Sequence, residues 1–131
     1  VAPYLIKATL LGVMAQRLVR TLCPDCKAAQ PLSPDAWSGF APGWAHATPI
    51  TVYRPVGCTQ CRASGYRGRI GVCEIMVLSE QLKALIGPQT DLSAIRQLAS
   101  AQGMLSLRLA AAHKVASAAT SLEEALRVTP A

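Results

Sequence analysis

At 131 residues with a net charge of +6, half of the chain hydrophobic (51%) and only 15% charged, the composition excludes intrinsic disorder, which needs low hydrophobicity and high charge. Aromatics make up 5%, so large core side chains are scarce and helices packed closely through small residues are expected. No basic segment precedes an apolar one, and the apolar region 1–14 is cut by Lys7 and Gly12, so neither a signal peptide nor a transmembrane span is expected. Opening on Val1 inside a helical pattern, the chain reads as a piece of a longer one.

In chain order, residues 3–22 predict a helix. Pro3 suits a first turn, and Ile6, Leu10, Met14, Leu18 and Leu22 recur every four residues, leaving Lys7, Gln16, Arg17 and Arg20 largely off that stripe. Residues 23–68 change character. Six prolines and several glycines rule out long helices, and with few large apolar residues this stretch needs something other than a hydrophobic core to hold it. Strands are expected at 50–53 and 70–77, both rich in β-branched residues.

Beyond Leu78 short helices return. Ser79 predicts a cap for a helix carrying Leu82, Leu85 and Ile86, stopped by Gly87 and Pro88. Asp91 caps the next, with Leu92, Ile95, Leu98 and Ala99 on one face and Gly103 at its end. A third helix is expected over 105–118. The fourth opens on Thr120-Ser121-Leu122-Glu123, which reads as a capping box between Thr120 and Glu123. The predicted class is mainly α with a few short strands (α+β), around a small, zinc-stapled, Pro/Gly-rich subdomain.

The strongest chemical signal is a pair of C-x-x-C knuckles, Cys23/Cys26 and Cys58/Cys61. Two residues between thiolates let both sulfurs face one point, and two such turns complete the tetrahedral shell that zinc prefers. Such a site has no open position and would be structural, its binding energy substituting for a missing core. Redox use and disulfides are the weaker readings, since no βαβ unit surrounds either pair and no targeting signal points to an oxidising compartment. Cys73, in the strand pattern, reads as a small buried hydrophobe. His46 and His113 lack partners at metal spacing and read as solvent-facing.

The charge excess lies in residues 1–72, with eight Lys/Arg against Asp25 and Asp35, while residues 73–131 balance five against five. Basic character with Arg62, Arg67 and Arg69 beside the second knuckle allows a zinc-ribbon nucleic-acid module as the alternative. Four thiolates offset part of that excess, and few rings are available to stack on bases. No lysine follows a glycine, so the chain has no Walker-type phosphate loop, and no catalytic set assembles from its acids. Taken alone, it is not expected to be an enzyme.

Several stretches together resemble the C-terminal part of the type II secretion and type IV pilus assembly ATPases: residues 15–20 (AQRLVR) running into 22–27 (LCPDCK), 56–61 (VGCTQC), 65–74 (GYRGRIGVCE) and 120–129 (TSLEEALRVT). The resemblance covers nearly the whole chain in order. It implies that residues 1–22 are the last helix of a RecA-like ATPase core, 23–66 a tetracysteine zinc subdomain, and 67–131 a strand followed by a C-terminal helical subdomain. It implies further that the full-length parent binds ATP and Mg²⁺ upstream of Val1, forms a cytoplasmic homohexameric ring, and works with inner-membrane platform proteins and without nucleic acid. Gln16, Arg17, Arg20, Arg67 and Arg69 become candidates for nucleotide or subunit contact. Cys73 departs from the family's usual aromatic, Ala111 and Ala118 from frequent glycines, and the loop holding Trp37 and Trp44 has no match in the pattern. The secretion and pilus branches are not separated by these residues.

Overall fold

The computed structural model describes residues 1–130. The chain order is α1 (Pro3–Thr9), β1 (Gly12–Leu22), β2 (Ala28–Pro31), α2 (Pro34–Phe40), β3 (Thr51–Arg54), β4 (Tyr66–Val77), α3 (Glu80–Ala84), α4 (Leu92–Ala101), α5 (Leu107–Ala116) and α6 (Leu122–Val128). The described residues therefore form an α+β fold. β1 pairs with β4, and β2 pairs antiparallel with β3 in the register Ala28↔Arg54, Ala29↔Tyr53, Gln30↔Val52 and Pro31↔Thr51. Two compact units interleave along the chain, one of Val1–Ala15 with Glu74–Ser106, the other of Gln16–Cys73 with Leu107–Ala131.

The first unit holds α1, α3 and α4. Ser79 and Asp91 cap α3 and α4 as expected, accepting from the backbone N–H of Leu82 and Ser93, and Gly103 turns at φ +101° just past α4. Leu82 and Ala99 are its most buried apolar side chains, whereas Leu92 stays exposed on the face expected to be apolar. Leu78 donates its N–H to Leu11, tying the strand end back to the start of the chain.

The helix expected over 3–22 is corrected: it ends at Thr9, and residues 12–22 are a strand. A spacing of four is also an even spacing, so the same residues can share one face of a strand. Gly12, at a poor helix position, and the β-branched Val13, Val19 and Thr21 favour the extended form, which β4 then pairs. Met14 and Leu18 are exposed and Val19 is fully buried, so the core face is not the predicted stripe.

The second unit carries most of the core. Val19, Leu22, Val52 and Val72 are buried there together with Leu107, Ala111, Ala112 and Val115 of α5 and Ala125 of α6. The small residues of α5 and α6 let these helices pack closely on each other and on β3. The 23–68 stretch, expected to hold few large apolar residues, buries three of them, Trp37, Phe40 and Val52. Ser33 accepts from the N–H of Ala36, Pro34 fixes the first turn, and α2 buries Trp37 and Phe40 edge to face at 5.4 Å.

The fourth helix is shifted by one residue from its predicted start. Ser121, not Thr120, is the N-cap and accepts from the N–H of Glu124 at 3.1 Å, while Thr120 donates its hydroxyl to the Arg20 carbonyl at 2.8 Å. Both hydroxyls suit a cap, and the demands of the Glu124 carboxylate decide the frame. Cys73 is half-buried rather than buried.

Candidate metal centre

Cys23 sits at the end of β1 and Cys26 one turn later, while Cys58 and Cys61 lie in the loop between β3 and β4. Backbone bonds shape each knuckle: Lys27 donates to the Cys23 carbonyl at 3.0 Å, and Ala63 to the Cys58 carbonyl at 2.8 Å. Cys23 itself donates to the Gly65 carbonyl at 3.0 Å, so the two knuckles are hydrogen-bonded to each other without any metal bond.

The four Sγ atoms lie within 4.8 Å of one another. Cys23 and Cys58 are 3.8 Å apart, Cys26 and Cys61 3.8 Å, and Cys58 and Cys61 3.7 Å. A tetrahedral ion with M–S bonds of about 2.3 Å requires sulfur separations of about 3.8 Å. The donors fit one thiophilic ion.

Backbone N–H groups surround the sulfurs. Gly57 donates to Cys26 Sγ at 3.3 Å, Cys58 to Cys61 Sγ at 3.2 Å and Gly65 to Cys61 Sγ at 3.1 Å. Burial pushes the Cys61 thiol up, but the Cys58 and Gly65 N–H groups, with neighbouring thiols, outweigh it and bring the group down to about 6. At Cys26 burial wins over the Gly57 N–H and the thiol rises to about 11. The two thiols part because Cys61 Sγ accepts from two backbone N–H groups and Cys26 Sγ from one; a divalent ion among the sulfurs would favour thiolate throughout.

The turn around the second knuckle is sterically demanding. Gly57 and Gly65 adopt φ +105° and +83°; a Cβ at Gly57 would meet the Ala63 carbonyl oxygen at 2.8 Å, and one at Gly65 would collide with the Pro55 ring. Arg62 and Ala63 take φ +55° and +63° without being glycine, each at a cost of about 1–2 kcal/mol. Local strain of this kind fits a segment whose geometry is dictated by ligation.

Of the five polar candidates, two have internal carboxylate partners. Arg20 grips the Glu124 carboxylate through Nε and Nη2, both at 3.1 Å, while its backbone N–H donates to the same group at 2.8 Å. Arg127 adds two more bonds at 2.9 and 3.1 Å, and the Arg20 guanidinium stacks on Tyr66 at 4.1 Å. Tyr66 in turn shares a 2.6 Å hydrogen bond with Ser121. Burial pushes the Glu124 carboxyl up, yet the two guanidiniums and the Arg20 N–H more than offset it and hold the group down at about 2. Arg67 pairs with Asp25 at 3.2 Å, both half-exposed. Gln16, Arg17 and Arg69 are exposed, and neither Arg17 nor Arg69 forms an ion pair among the described residues.

Two groups escaped the sequence reading. In the sequence Glu124 is only an acid in the first turn of a helix, and nothing local connects it to Arg20. The imidazoles of His46 and His113, expected to face solvent, meet Trp44 in one ring cluster, with His46 exposed and His113 half-buried.

Four cysteines whose sulfurs are spaced to share one metal ion, in an α+β frame with a carboxylate-locked terminal helix, make a candidate metal centre. The family model described as "Type II/IV secretion system protein" matches residues 1–127, and the chain belongs to that family. It is 46% identical over 130 residues to the type IV pilus assembly ATPase TfpB of Acinetobacter baylyi, which covers 99% of this chain and 22% of that protein. It is 43% identical over 129 residues to type II secretion system protein E of Aeromonas hydrophila, and 40% identical over 129 residues to type II secretion system ATPase E of Vibrio cholerae, each comparison covering 98% of this chain and 25% of the relative. The chain thus spans about a quarter of the length of the curated relatives it matches. Among the described residues no helix is long and apolar enough to cross a membrane.

Proposed function

We propose that this chain is a non-catalytic C-terminal portion of a hexameric secretion-motor ATPase, whose full-length parent hydrolyses ATP with Mg²⁺ to drive pilus or pseudopilus assembly and protein export. The observation that carries this reading is the high identity to pilus and secretion ATPases across nearly the whole chain. In this proposal residues 1–22 complete the RecA-like core, 23–66 form a zinc subdomain and 67–131 the terminal subdomain. Zinc held by Cys23, Cys26, Cys58 and Cys61 is structural, because four protein ligands leave no substrate position. The parent would act in the cytoplasm against inner-membrane platform proteins, with neighbouring subunits of its ring as partners.

Gln16, Arg17 and Arg69 remain the candidates for nucleotide or subunit contact, since an exposed guanidinium without a carboxylate partner suits two-pronged pairing with phosphate or carboxylate, and an exposed amide can donate to either. Arg20 and Arg67 already spend that capacity internally. In the full-length parent, Arg17→Ala is expected to reduce ATP turnover or ring assembly severalfold while zinc content stays at one per chain. Unchanged turnover and unchanged hexamer formation in both Arg17→Ala and Arg69→Ala would place the contact surface elsewhere.

A further inference from the structure

Three rings from two distant stretches of the second unit converge, and two of them are imidazoles. His46 lies in the loop between α2 and β3, and His113 in the last turn of α5. Their ring centroids are 5.2 Å apart with planes at 69°. Trp44 stands beside both, 5.2 Å from His46 and 4.7 Å from His113. The loop is held in place: the Trp44 indole N–H donates to the Ala47 carbonyl at 3.2 Å, and its ring packs edge-on at 5.1 Å against the buried Trp37. His46 is exposed and His113 half-buried, so the pair is accessible without being part of the core.

We propose that His46 and His113 form a second metal site, which takes one exchangeable divalent ion of the zinc, nickel or copper type. With a metal–nitrogen bond of about 2.1 Å and the ring centre about 1.1 Å behind the nitrogen, two imidazoles at a tetrahedral angle have centres about 5.2 Å apart. The observed centre-to-centre separation equals that value, so a rotation of the rings about their side-chain bonds is all that ligation requires. Neutral imidazole suits these borderline ions and not calcium or magnesium, which demand oxygen donors. The position of His113 in the last turn of α5 adds the negative end of the helix dipole, which favours a cation there. The one group of three or more potential ligands among the described residues is the tetracysteine set, so water completes this second shell. Binding is accordingly weaker than at the thiolates and reversible. An ion bridging the rings would add one further link between the 41–50 loop and α5.

The site shares no residue with the cysteine cluster, and its test leaves that cluster untouched. Nickel is added to the protein as purified, carrying whatever metal its thiolates already hold, and indole fluorescence is followed, because a bound paramagnetic ion beside Trp44 quenches it. The expected result is a saturable quench at micromolar nickel, with His46→Gln and His113→Gln each raising the midpoint by at least about tenfold. Both variants should keep the wild-type content of tightly held metal and the wild-type unfolding temperature in the absence of nickel. Trp44→Phe should retain nickel binding by calorimetry while losing most of the quench. Equal midpoints in wild type and both histidine variants, or no saturable response below millimolar nickel, overturns the proposal.

Discussion

The thiolate cluster and the Glu124 latch solve the same problem in one unit by different chemistry. Both hold together chain segments that carry few large apolar side chains. At the knuckles, four soft donors from residues 23–26 and 58–61 converge on one point and their backbone N–H groups complete the shell. At the latch, a single carboxylate with a side chain 0% exposed takes five hydrogen bonds from two guanidiniums and one backbone N–H. The first arrangement has the donors to take an ion from outside, whereas the second is self-contained. The lesson is that a small core tolerates concentrated polar chemistry when every donor and acceptor finds its partner.

The sharpest way to break the comparison is at the sulfurs. Cys58→Ser is expected to lose the metal and unfold residues 23–66, since structural zinc contributes on the order of 10–16 kcal/mol to small modules of this kind. Elemental analysis and near-UV circular dichroism check it, and a metal-free chain with unchanged spectra would show that the latch and the aromatic cluster suffice alone.

Next in size is the latch. Glu124→Gln keeps the shape but removes the charge that both arginines serve, and is expected to cost about 2–3 kcal/mol in denaturant unfolding, in line with the depression of its carboxyl to about 2. Zinc content should not change.

Its pH dependence sharpens the contrast. The unfolded chain binds the Glu124 proton near its ordinary value of 4.5, the folded chain only near 2. The stabilisation is therefore fully present above about pH 5 and is lost as pH falls through the interval down to about 2. Wild type should lose stability more steeply than Glu124→Gln over that interval, and parallel slopes would show that other carboxylates govern acid unfolding.

The smallest effect belongs to the exposed pair. Arg67→Ala breaks a contact whose two side chains are 50% and 53% exposed, and should change stability by no more than about 0.5 kcal/mol. A loss comparable to Glu124→Gln would mean that the Asp25 pair braces the first knuckle.

These two regions also differ in how far the sequence reveals them. C-x-x-C spacing is local, so the four clustered cysteines are readable without knowing the fold. Ser79 and Asp91 announce their helices for the same reason: a cap acts within three residues. Arg20 and Glu124 stand 104 residues apart, and only the pairing of β1 with β4 and the docking of α6 make them neighbours. β1 was misread because spacing by four fits a helix and a strand equally, and the partner strand breaks the tie. For α2 the signal was present in Ser33-Pro34-Asp35, a cap followed by a first-turn proline and an acid, but the proline-rich surroundings masked it. The meeting of His46 with His113 had no local signal at all.

The latch also sets an order of events during synthesis. Cys23 and Cys58 are 35 residues apart, so the knuckles can close while much of the chain is still to be made. Arg20 must wait for Glu124, 104 residues later, which at ribosomal speeds of about 5–20 residues per second is a delay of roughly 5–20 s. Throughout that interval β1 carries an unpaired arginine and lacks the carbonyl of Ala119 that its Leu22 N–H will later meet. The nascent chain is thus ordered around its cysteines first and sealed by its last helix.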